Sequence, residues 1–230
     1  MRVFAISDLH MSNSVNKPMD IFKGWDNHID RIKQSWMQSV TDQDIVLLGG
    51  DLSWAMTLHN AMPDIQFLDT LPGHKVLIRG NHDYWWKSIS VLRQSLPSNM
   101  YALQNDSIRI GDYIICGTRG WIVPERHQGE PDIKIYNREI ERLKLSLHSM
   151  AAMRTPECKV ISMAHYPPFN SLVKSTPFTD LYNEYNICKV IYGHLHGKNI
   201  RMPLIVTVGK TQFYLTSCDL VGYQLVLIDG

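Results

Sequence analysis

The sequence predicts an α/β protein with parallel sheet early in the chain and antiparallel additions late. Three observations carry this. Short runs that are apolar throughout recur along the chain, as strands buried on both faces require. Helical periodicity fills the gaps between the first of them. The last quarter carries strand-like runs joined by links with no room for crossover helices.

Strands are expected at Val3 to Ser7, Ile45 to Leu48, Val76 to Arg79, Ile114 to Cys116, Lys159 to Ala164, Lys189 to Tyr192, Leu204 to Val208, Phe213 to Thr216 and Tyr223 to Ile228. Ile108 to Ile115 reads as a hairpin closed by the two-residue turn Gly111-Asp112. The spacing of Ile29, Ile32, Trp36 and Val40 predicts a helix capped by Asp26, and Tyr136, Ile140, Leu143, Leu147 and Met150 mark the longest helix. The stretches from Gly117 to Tyr136 and from Tyr166 to Thr179 are rich in turn formers and are expected as loops. A length of 230 residues suits a single domain over 1–230, and no linker divides it.

The composition narrows the function classes. Lys and Arg number 23 against 22 Asp and Glu, a formal charge of +1. That balance speaks against a main task of neutralising nucleic-acid phosphates or lying on an anionic membrane. No segment approaches the roughly 18 apolar residues of a membrane span. The first apolar run meets Asp8 before a signal-peptide core forms, so a soluble, cytoplasmic protein is expected. The four cysteines, at 116, 158, 188 and 218, form none of the close pairs of zinc knuckles or redox motifs and are expected as reduced thiols.

Histidine is unusually frequent, at ten residues. Asp8-Leu9-His10 ends the first expected strand, Gly49-Gly50-Asp51 the second, and Gly80-Asn81-His82-Asp83 the third. Later strands run into His165 and into Gly193-His194-Leu195-His196. These are the carboxyl ends at which α/β sheets place their ligand crevices. In extended backbone, residues two apart point the same way, so Asp8 with His10, and His194 with His196, are each expected to aim two donors at one place. The glycines at 49, 50, 80 and 193 allow tight turns and close backbone approach there. Carboxylates, imidazoles and one amide, without a thiolate, suit manganese, iron, zinc or cobalt.

In this order the motifs resemble the signature of the calcineurin-like metallophosphoesterase superfamily, and none of its elements is missing between residues 8 and 196. The resemblance implies a four-layer α/β/β/α sandwich of two mixed sheets flanked by helices. It also implies two divalent or trivalent metal ions, drawn from manganese, iron, zinc or nickel. One would be held by Asp8, His10, Asp51 and His196, the other by Asp51, Asn81, His165 and His194, with Asp51 bridging. Two such ions against two ligand carboxylates leave a positive centre that attracts a phosphate anion. The activity implied is hydrolysis of phosphate mono- or diesters by a metal-bridging hydroxide, on a small-molecule or nucleotide-like substrate. His82 would stabilise the phosphoryl oxygens or protonate the leaving alcohol. Asp83 would hold the His82 ring, or cap a helix after Tyr84.

Arg79 and Arg119 would clamp a phosphate, or are solvated or structural. Trp54, Trp85 and Trp86 would stack a base or simply pack. The histidines at 28, 59, 74, 127 and 148 pair with no motif and are expected on the surface or half-buried. Two other readings are a binding scaffold of the same fold, which would show lost ligands, and a nuclease of the superfamily, which would show a basic groove. Neither sign is present in the sequence.

Overall fold

A computed structural model describes residues 1–124 and 130–230. His127 and part of the expected 117–136 loop lie outside the described residues. The elements run β1 (Val3–Ile6), α1 (His28–Ser39), β2 (Ile45–Leu48), α2 (Leu58–Asp69), β3 (His74–Leu77), α3 (Ile89–Ser95), β4 (Met100–Ala102) and β5 (Ser107–Ile110). They continue with β6 (Tyr113–Thr118), α4 (Glu130–Met153), β7 (Lys159–Ala164), α5 (Pro177–Glu184), β8 (Lys189–Tyr192), β9 (Ile205–Val208), β10 (Thr211–Leu215) and β11 (Val226–Asp229).

The strands form two sheets, ordered β11-β1-β2-β3-β4 and β5-β6-β7-β8-β10-β9. Within them β1 to β4 are parallel, as are β6, β7, β8 and β10. The antiparallel strands β11, β5 and β9 stand at edges. Antiparallel pairing is therefore a matter of edge position and not only of late position in the chain.

Strand alternation explains the layers. Phe4, Ile6, Val46 and Leu48 face the helical side with Ile32, Trp36, Ile65 and Leu68, while their neighbours Val3, Ala5, Ile45 and Leu47 pack against Ile115, Ile161 and Ile191 of the second sheet. The second sheet's other face, through Ile114, Cys116, Val190 and Tyr192, carries α4 and α5 by way of Leu143, Leu147, Phe178 and Tyr182. Three cores between four layers give the α/β/β/α sandwich. Each aliphatic side chain buried in the middle core contributes about 1.5–3 kcal/mol relative to exposure.

Several local expectations change. Asp26 does not cap α1: Asn27 occupies that position at φ 50°, with no side-chain capping bond. The expected Tyr166–Thr179 loop ends at α5, where Thr176 and Thr179 form a capping box with Pro177 in the first helical position. Helix α2 forms around an internal Pro63, with Thr57 accepting the Asn60 N–H at its start. The Gly111-Asp112 hairpin is present, Ile110 pairing with Tyr113. All four cysteines are unpaired, Cys116 and Cys218 being buried. No helix of the described residues is long and apolar enough to cross a membrane.

Candidate metal centre

Both sheets direct their carboxyl ends to the same edge. The two are tied there by a parallel bridge between Ser7 and Ser217, with Ser7 N–H donating to Thr216 O at 2.8 Å and Cys218 N–H to Ser7 O at 3.0 Å. Asp8 leaves β1, Asp51 leaves β2, Asn81 follows β3, His165 leaves β7, and His194 leaves β8. The loops then ladder onto one another: Asp8 N–H donates to Gly50 O at 2.9 Å, His10 N–H to Asp51 O at 3.0 Å, and Gly193 N–H to His165 O at 3.1 Å.

The backbone at these exits is not extended. Asp8, His10, Asp51 and His194 have φ of 58°, 48°, 52° and 69°. The rule that residues two apart share a face therefore does not operate here, and left-handed turns aim the side chains instead. Non-glycine residues held in this region cluster at functional sites. Close approach also demands glycine at two points. A Cβ at Gly80 would collide with Oδ1 and the backbone nitrogen of Asp51, and one at Gly193 would stand 2.7 Å from Asp8 Oδ2.

Asp8, Asp51 and His165 each bring a ligand atom within 4.8 Å of the others, and all three are buried. Around them, Asn81 Oδ1 lies 2.7 Å from His165 Nε2 and 2.9 Å from His194 Nδ1. Asp51 Oδ2 lies 3.5 Å from His165 Nε2 and 4.0 Å from His10 Nε2. His10 and His196 present their rings edge to face, centroids 5.4 Å apart. All seven expected ligands thus gather at one edge.

The donor chemistry fits a cation. His165 Nδ1 is 2.9 Å from the Gly49 carbonyl, which can only accept, so this nitrogen carries the proton of the neutral ring. Nε2 then presents a lone pair to the oxygens of Asn81 and Asp51. Burial holds His165 and His10 well below the ordinary histidine pKa and lowers His194 to about 4, so at neutral pH the rings are uncharged. Both nitrogens of His10 and Asp51 Oδ2 are buried without a hydrogen-bond partner among the described residues. Lone pairs facing lone pairs among buried groups are what a divalent ion resolves. The carboxylates carry the same signature: burial pushes Asp8 up to about 7, and burial with Asp83 and Asp8 nearby pushes Asp51 up to about 9.

Asp83 plays a different part from either expected one. Its Oδ2 accepts the N–H groups of Gly80 at 2.8 Å and Asp51 at 2.9 Å. Its Oδ1 accepts those of Leu52 at 2.9 Å and Ser53 at 3.3 Å, and Trp85 Nε1–H at 2.8 Å. The carboxylate therefore stitches the Asp51 loop to the Asn81 loop; it forms no hydrogen bond with the His82 ring among the described residues and caps no helix, since α3 begins at Ile89. His82 is half-buried, its ring 5.7 Å from His10 and 4.7 Å from Trp54.

Arg119 lies with its guanidinium 3.7 Å from buried Glu139 and 4.7 Å over the Trp121 ring, and its carbonyl accepts the His165 N–H. Arg79 and Arg119 each bury an Nε without a hydrogen-bond partner. Of the three tryptophans, Trp85 and Trp86 are core residues, and Trp54 stacks on His10 with centroids 4.6 Å apart and planes at 21°. Tyr166 packs on His194 at 4.1 Å. His28 is buried, its Nε2 3.0 Å from Leu9 O.

One site residue has no counterpart among the sequence expectations. Asp219 follows β10 and accepts the Gly197 N–H at 2.7 Å, holding the end of the loop that carries His194 and His196. Its signal was available: it leaves the carboxyl end of a buried strand, like the others.

Beside the cluster opens a cavity of about 840 Å³ whose wall includes His10, His82 and His196.

Two mixed sheets between helices, with buried nitrogen and oxygen donors at their shared carboxyl edge, define the metallo-dependent phosphatase fold. Residues 1–198 match the calcineurin-like phosphoesterase family, and the chain belongs to that family. It is similar to an uncharacterized protein of Methanocaldococcus jannaschii, with 26% identity over 139 residues, covering 55% of this chain and 69% of that one. Among solved structures it resembles a Thermus thermophilus protein (TM-score 0.62, 14% identity, 99% and 98% of the two chains covered). A protein of unknown function from Aquifex aeolicus is also similar (TM-score 0.51, 16% identity, 98% and 94% covered). These structural likenesses concern the fold.

Proposed function

We propose that the protein is a two-metal phosphoesterase that hydrolyses phosphate mono- or diesters. The convergence of His165 Nε2, His194 Nδ1 and Asn81 Oδ1 beside the unpartnered Asp51 Oδ2 carries this reading. Asp8, His10, Asp51 and His196 would hold one ion and Asp51, Asn81, His165 and His194 the other. Bound there, the ions supply positive charge to the phosphoryl oxygens and bring the pKa of water toward neutrality.

The chain's own groups do the remaining work. Asp83 fixes the loop that carries Asp51, so the shared carboxylate does not move as charge builds. His82, at the cavity wall, donates a ring N–H to a phosphoryl oxygen or to the leaving oxygen. Arg79 and Arg119 contact the phosphoryl group from the His165 side, Glu139 and Trp121 holding Arg119 in place. Trp54, stacked on His10, excludes water from that ligand.

The test is phosphate release from aryl phosphate mono- and diesters by the full chain supplied in turn with manganese, iron, zinc and nickel. Activity is expected with at least one metal, and should fall by several orders of magnitude in Asp51→Asn together with its metal content. His82→Ala should lose activity while retaining metal. Equal metal content and equal activity in wild type and Asp51→Asn would overturn the reading.

A further inference from the structure

The cavity beside the cluster is far larger than a phosphoryl group. Pockets of roughly 300–1,000 Å³ bury most of a drug-sized ligand, and this one measures about 840 Å³. Its walls are specific. Trp25 and Tyr223, both buried, meet edge to face with centroids 5.7 Å apart. With Trp54 they give the cavity aromatic walls, against which a flat ring gains more than a flexible chain does.

The rim carries charge. Lys23, Arg31 and Lys198 line the same cavity, are exposed, and make no ion pair among the described residues. Arg31 is steadied 4.0 Å over the Tyr223 ring, and its Nη1–H donates to Gly24 O at 3.4 Å. The one carboxylate among the lining residues is Asp219, and Gly197 N–H occupies its Oδ2. Three cations and one acid thus line the same aromatic cavity as His82.

Building on the phosphoesterase reading, we propose that the substrate is a nucleotide carrying two separated phosphate groups. One is the scissile ester at the metal ligands, the base lies against Trp25 and Tyr223, and the second phosphate is held by Lys23, Arg31 and Lys198. An alkyl phosphate would satisfy the apolar walls but leave the three cations without a counter-charge.

The experiment compares the metal-loaded full chain acting on adenosine 3′,5′-bisphosphate, adenosine 5′-monophosphate, phenyl phosphate and hexadecyl phosphate. The bisphosphate should give the highest kcat/KM. In Arg31→Gln and Lys198→Gln, both surface changes, the bisphosphate-to-phenyl preference should drop about tenfold through KM, the scale of one lost charge-assisted hydrogen bond. Equilibrium binding of the bisphosphate, read by calorimetry, should weaken in parallel. Hexadecyl phosphate as the preferred ester, equal rates on all four, or an unchanged preference in both variants would overturn the proposal. If no ester is cleaved with any metal, the phosphoesterase reading fails, and calorimetry alone decides the pocket: binding sensitive to Arg31→Gln upholds it, no binding overturns it.

Discussion

Asp83 Oδ2 accepts the backbone N–H of Asp51 at 2.9 Å, while Asp51 Oδ1 accepts the backbone N–H of His82 at 2.7 Å. The two loops thus hold each other by reciprocal bonds, and the aspartate next to the expected catalytic histidine is a structural clamp for the loop of Asp51. Replacing Asp83 by Asn puts an amide nitrogen among five N–H donors. A destabilisation of about 2–4 kcal/mol is expected, by the logic of a buried polar network deprived of its charge. Urea denaturation measures it, and metal affinity should fall with it; His82→Ala should leave stability within about 0.5 kcal/mol, as a half-buried residue outside that network.

The ion-free chain should lose stability as pH rises. Folded Asp51 titrates at about 9 against an ordinary 3.8, so between pH 7.5 and 8.5 the folded state keeps a proton that the unfolded state has lost. Such a difference lowers stability by up to about 1.4 kcal/mol per pH unit. His10, His28, His82, His165 and His194, lowered in the fold by burial, are neutral in both states over this window and add little slope. Denaturation with a chelator present should show a fall of about 1 kcal/mol across the window. Asp51→Asn, which keeps Asp8 and the buried thiols Cys116 and Cys218 with their raised pKa, should show a clearly shallower fall, and excess metal should remove the Asp51 part of the slope in the wild type.

Gly80→Ala places a methyl against Asp51, whose carboxylate and backbone nitrogen both lie in its path. Overpacking of this kind costs about 1–3 kcal/mol, and here the displaced atoms belong to a proposed ligand. Metal content by atomic absorption should fall well below that of the wild type. An alanine variant that loads normally would show that the loop has room the structure denies it.

Trp54→Leu removes the ring stacked on His10. Supports of metal ligands are worth roughly 10–100-fold in affinity, so competition titration with a chromogenic chelator should show one ion weakened by that factor and the other unchanged. Equal weakening of both would mean that Trp54 acts on the whole fold.

Much of this was legible in the chain. The strand exits at Asp8, Asp51, Asn81, His165 and His194 were readable because a buried strand must be apolar, and polar residues directly after one stand out. The left-handed turns were not, since the residue types that tolerate them, Asp, Asn and His, are also ordinary loop residues. The role of Asp83 was hidden because its partners are backbone groups, which no side-chain pattern encodes. Helix α2 was masked by Pro63 in its interior, a residue that costs a helix about 3 kcal/mol in isolation and is carried here by packing around Ala61, Ile65 and Leu68. Helix α5 did announce itself through Thr176 and Pro177, but proline next to threonine also reads as a turn.

The left-handed backbone at Asp8, His10, Asp51 and His194 restricts the sequences open to descendants of this chain. Aspartate and histidine are among the few side chains that both ligate hard or borderline ions and sit at positive φ with little penalty. A drift toward glutamate at these exits would meet a conformational toll and a ligand change together, so the route to another metal lies through its surroundings, with the ligands themselves held nearly fixed.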